Sequence, residues 1–119
     1  MYTVVCFFRV RKSDKNLFLR MTKKTGELLK SHGTLEHHIY QAHELTGRQG
    51  SMGMLNLIDI EEDEELLMGQ TIFKSRDHYE DVMSEIGSDD IIQYLHDHIK
   101  DTVDMTRVIT SSFATDTLQ

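Results

Sequence analysis

The stretch Tyr2-Thr3-Val4-Val5-Cys6-Phe7-Phe8-Arg9-Val10 decides the fold. In an extended chain, successive side chains point to opposite faces. Val4, Cys6, Phe8 and Val10 then share one face, and Val5 and Phe7 share the other. A strand that is apolar on both faces is covered on both. Helices of the same chain supply one cover, so a second one is needed.

Working outward, the spacing predicts a helix over residues 14–31. Ser13 and Asp14 are N-cap types, and Leu17, Phe18, Met21, Thr25, Leu28 and Leu29 recur at helical intervals. Gly33 suits the position just past its end. Alternation predicts a strand over 34–43, with Leu35, His37, Ile39, Gln41 and His43 on one face. Glu36, His38, Tyr40 and Ala42 take the other face. A glycine-rich loop follows from Gly47 to Gly53, and residues 54–60 read as a short extra strand or an irregular crossing. The acidic run Glu61 to Glu65 reads as a turn, and residues 66–74 as a strand.

Ser75 caps a helix carrying Tyr79, Val82, Met83 and Ile86, and Gly87 ends it. A second helical piece starts at Ser88 or Asp89 and carries Ile91, Ile92, Leu95 and Ile99. A last strand spans 105–113, and residues 113–119 read as a frayed polar tail. The order β-α-β-(β)-β-α-α-β is the split βαβ, ferredoxin-like pattern. One α+β domain over residues 1–119 is expected, with an antiparallel sheet and helices on one face.

The face opposite those helices should be polar, yet the first strand has Val4, Cys6, Phe8 and Val10 opposing Val5 and Phe7, and residues 66–73 are also apolar on both faces. Monomers rarely expose a patch of that kind. A second copy laid sheet against sheet, as a two-fold homodimer, is the simplest cover.

Charge and composition exclude several classes. The net charge of -7 leaves little to attract a phosphate backbone, so no nucleic-acid partner is expected. No apolar run approaches the roughly 20 residues of a membrane span, so no membrane partner is expected either. Cys6 is the one cysteine, which rules out an intrachain disulfide, and Met1-Tyr2-Thr3 lacks the basic segment of a signal peptide. A cytoplasmic protein is the expectation.

Three segments carry a resemblance. Ser31-His32-Gly33-Thr34-Leu35-Glu36, the pair Asp63-Glu64, and Phe73-Lys74-Ser75-Arg76-Asp77-His78-Tyr79 resemble a YbaA-like domain-of-unknown-function family (family 1428) within the dimeric α/β barrel superfamily. The resemblance implies that barrel fold and a homodimer, and it supplies no substrate. The chain departs from the family pattern between Ala42 and Leu57, where the usual acidic, proline-containing stretch is missing.

The seven histidines are the unusual feature of the composition. His37 and His38 are adjacent in a strand and point apart, and His37 and His43 lie about 20 Å apart along one face. His96 and His98 do not face each other on a helix. No metal and no cofactor is therefore expected. Gly47, Gly50 and Gly53 lack the Gly-Lys-Ser/Thr and the following helix of a phosphate loop. No nucleophile elbow is present, so a hydrolase is disfavoured.

Two functional classes stay open. One is a small-molecule-binding or stress-associated homodimer without catalysis. The other is a cofactor-independent monooxygenase-like enzyme, an activity the superfamily contains, with a pocket between helices and sheet. The lack of Trp counts against a haem-degrading relative. Either way, His32, His37, Tyr40 and His78 are the candidate ligand-binding residues. They titrate or hydrogen-bond near neutral pH and gather where a helix end meets a strand. For His37 and Tyr40 the competing reading is a plain dimer contact.

Overall fold

The structure, a computed structural model, describes residues 1–115. Its elements run β1 (Tyr2–Arg11), α1 (Lys15–Ser31), β2 (Glu36–Gln41), β3 (Glu64–Phe73), α2 (Arg76–Ile86), α3 (Asp90–Ile99) and β4 (Ile109–Ala114). The four strands form one antiparallel sheet in the order β2-β3-β1-β4. This is the α+β, ferredoxin-like fold expected from the strand and helix pattern.

The ends of the elements follow local chemistry. Ser75 Oγ accepts from the His78 amide at 3.1 Å and opens α2. Asp89 Oδ1 accepts from the Ile91 and Ile92 amides and opens α3. Gly33, at φ +104°, ends α1 in the left-handed region that glycine tolerates best.

Several boundaries differ from expectation: β2 is shorter than the predicted 34–43, and β3 begins at Glu64, so Glu64 and Glu65 of the predicted acidic turn pair with Arg11 and Val10 as strand. The bracketed strand at 54–60 is a 3₁₀ turn, Met54–Asn56, followed by irregular chain, because the Asn56 side chain accepts from the Gly53 amide and closes a local cap. The last strand starts four residues later than expected, since Asp104 caps a 3₁₀ turn at Met105–Arg107. Its end runs through Ala114, where the Thr115 amide donates to the Met1 carbonyl. The start of the expected tail is thus sheet, and residues 116–119 lie outside the described residues.

The core lies between the sheet and α1 and α3. Val10, Phe18, Met21, Leu67, Ile99 and Val103 are buried together, with Phe8 tilted against Phe18 at 5.0 Å between ring centroids. At the other end Phe73 is packed edge-on by Tyr79 of α2, and Tyr79 meets Tyr2.

Register and alternation place Thr3, Val5 and Phe7 of β1, Met68 and Ile72 of β3, and Ile109 and Phe113 of β4 on the opposite face. Phe113 there is 59% exposed and Ile109 39%. The molecule measures 41 × 39 × 21 Å, a slab two layers thick. Its radius of gyration, 15.4 Å, exceeds the value of about 13.5 Å for a rounded domain of this length.

Candidate functional site

α1 lies along β2, the edge strand beside β3, and a cleft of about 490 Å³ runs between them. Lys23, Glu27 and Lys30 of α1 form one wall, and β2 from His37 to Tyr40 forms the other. The register of β2 on β3 is continuous, with His37 opposite Thr71 and Tyr40 opposite Met68. No bulge brings the two to one side. His37 therefore faces the helices, Tyr40 faces away, and each borders the cleft from its own side of the strand.

The His37 ring is half-buried beneath Gly26. Its Nδ1 is hydrogen-bonded to Thr71 Oγ1 at 2.9 Å, and its buried Nε2 has no partner. Burial pushes its pKa below the usual histidine value, helped by the nearby charges of His38 and Lys30. Burial thus disfavours the charged form of a ring with one nitrogen engaged and the other unpaired. Tyr40 is 44% exposed and donates to Gln70 Oε1 at 3.2 Å.

His32 and His78 sit elsewhere. His32 lies about 9 Å further along α1 than Gly26, at 1.5 Å per residue. Its Nε2 is 2.7 Å from Asp89 Oδ2, and its Nδ1 is 3.6 Å from Glu85 Oε1. The Asp89 hydrogen bond raises the His32 pKa, and Glu85 adds to it against a smaller opposing effect of burial. Asp89 is held below the usual carboxylate range, first by His32 and then by the helix amides it caps. His78 Nδ1 accepts from the Lys74 amide at 2.9 Å, which leaves the proton of a neutral ring on Nε2. That Nε2 lies 3.6 Å from the position a Cβ at Gly33 would take.

The four candidate residues thus divide between two places. His37 and Tyr40 share the α1–β2 cleft, while His32 and His78 flank Gly33. The carboxylates around His32 address opposite ring nitrogens, so they cannot close on one ion with it. Among the described residues no three His, Cys, Asp or Glu side chains converge on a metal position. Nothing local in the chain marks Thr71, Gly26 or Glu85 for these contacts. Asp89 was legible as a helix cap, but the partner of its second oxygen lies 57 residues away.

A family model described as a protein of unknown function (DUF1428) matches residues 1–103. The chain belongs to that family. The narrower likeness to YbaA rests on the motif residues alone. No curated protein matches this DUF1428 chain. Solved structures do. A crystal structure of an antibiotic biosynthesis monooxygenase matches with TM-score 0.61 at 8% identity, over 98% of this chain and 99% of that one. A protein from Arabidopsis thaliana matches with TM-score 0.66 at 8% identity, over 100% and 99%. An uncharacterised NIPSNAP domain protein from Burkholderia xenovorans matches with TM-score 0.59 at 9% identity, over 100% and 98%. At these identities the likeness is one of fold. No helix among the described residues is long and apolar enough to cross a membrane.

Proposed function

We propose that this DUF1428 protein is a cytoplasmic homodimer, open sheet face against open sheet face, that binds a small molecule in the α1–β2 cleft. The observation that carries the reading is the uncovered apolar face of Val5, Phe7, Met68, Ile72, Ile109 and Phe113. A second copy covers that face with an identical, self-complementary one. The slab shape supports the same reading, since pairing two slabs makes a body of ordinary compactness. A free thiol at Cys6 suits a reducing compartment.

At the cleft, His37 offers an imidazole from the helix side of β2 and Tyr40 a hydroxyl from the other side, while Leu19 and Ile39 add apolar surface. A few polar groups set along an apolar wall are the kind of lining a small-molecule site uses. Native mass spectrometry of the purified protein tests both halves of the reading. A dimer mass that carries an extra ligand mass, lost in His37→Ala, supports it. A monomer mass at micromolar concentration overturns the dimer, and a bare protein mass from every preparation counts against the ligand.

The second reading, a cofactor-independent monooxygenase-like enzyme, draws on one feature. An imidazole whose pKa burial lowers and whose second ring nitrogen has no partner is a candidate general base. Oxygen uptake driven by the retained ligand, and lost in His37→Ala, would favour it.

A further inference from the structure

The chain between β2 and β3 is the part furthest from the family pattern, and it is built in an unusual way. Residues 49–58 contain no charged side chain, in a protein where charged residues make up 28%. The segment is nonetheless ordered. The Leu55 amide donates to the Leu45 carbonyl, the Ser51 amide to the Arg48 carbonyl, and the Asn56 side chain caps Gly53. Ile58, 4% exposed, anchors it. On this framework Met52 is 69% exposed, Leu55 50% and Leu57 70%. A held loop that displays three large apolar side chains is a surface awaiting a partner.

The base of the loop tells which partner. Arg9 alternates with Phe7 on β1 and so belongs to the open face of the sheet. Its guanidinium donates to the Asp59 carbonyl at 3.0 Å and to the Arg107 carbonyl at 2.9 Å. Leu66, opposite Arg9 on the same face, is only 4% exposed and shares a cleft with Ile60. The base of the loop, at Asp59 and Ile60, therefore lies on the side of the sheet on which the second copy is proposed to pack, and its exposed apolar residues lie directly before that base in the chain. Depletion of charge is the mark of an interface core rather than of a free loop.

We infer that Met52, Leu55 and Leu57 form a clasp that closes over the second copy of the chain at the edge of the sheet-to-sheet contact. This rests on the homodimer proposed above. In a two-fold dimer the clasp operates twice, once from each copy. It makes the dimer specific to chains that carry this loop.

The test separates the clasp from the dimer. Protein with ¹³C-labelled methionine methyls is mixed and equilibrated with unlabelled protein, and contacts between copies are read by isotope-filtered NOE spectroscopy. Met68, on the open face, reports on the dimer, and Met52 on the clasp. Contacts to the unlabelled copy from both methyls support the inference. Contacts from Met68 alone overturn the clasp and leave the dimer standing, and the loop then serves another partner or none. Contacts from neither remove both. In parallel, Leu57→Glu should raise the dimer dissociation constant at least tenfold in sedimentation equilibrium, with the helical circular dichroism unchanged. An unchanged dissociation constant overturns the clasp.

Discussion

His37 occupies the space that a side chain at Gly26 would need: an ideal Cβ on Gly26 lies 2.4 Å from His37 Cδ2. The helix gives up a better helix former here so that the imidazole can lie against its backbone, held from below by Thr71. Gly26→Ala gains about 1 kcal/mol of helix propensity and meets an overpacking cost of about 1–3 kcal/mol. The expected result is a net loss of about 1 kcal/mol in urea unfolding at fixed protein concentration. With His37→Ala in the background the same substitution should stabilise. Equal effects in both backgrounds would show that the two residues do not compete for space.

The two environments of the histidines predict opposite titrations. His32, raised by Asp89, stays charged above pH 6.5, so its stabilising pair is complete below that pH and is lost as pH rises through its folded pKa. Asp89, lowered by His32, contributes above about pH 3.8 and loses its share as pH falls through its own lower value. His37, lowered by burial, resists the proton that the unfolded chain would take. Its effect is to reduce stability as pH falls below 6.5. NMR titration of the imidazole signals should show one histidine above and one below the ordinary value. The deficit of His32→Asn against wild type should shrink from pH 6 to pH 9.

A charge on the open face should break the dimer. Phe7 sits opposite Met68 and Ile109 on that face. In Phe7→Glu the carboxylate would be buried without a partner, at a cost of about 3–5 kcal/mol. Light scattering should return half the wild-type mass while the circular dichroism keeps its helical signal. A dimer mass from this variant would move the interface off the sheet.

Chelation should leave folding untouched. No structural site of four ligands is expected from the spacing of the histidines, and such sites supply folding energy outright where they exist. The thermal midpoint with and without EDTA should coincide. A marked drop would mean that a metal holds the fold together.

Much of this protein was legible in its chain because the signals are local. The alternation of Val4, Val5, Cys6, Phe7 and Phe8, the helical spacing from Leu17 to Leu29, and the caps at Ser75 and Asp89 each act within a few residues. The opposite facing of His37 and Tyr40 follows from strand alternation alone. Tertiary structure decided what depends on distant partners. It set His32 against Asp89 and not beside His37, slid His37 under Gly26, and fixed the base of the uncharged loop to the open side of the sheet through the bond from Arg9 to Asp59. Periodicity reports which face a side chain takes, because backbone geometry repeats. It does not report what waits on that face, because that is chosen by packing between segments tens of residues apart.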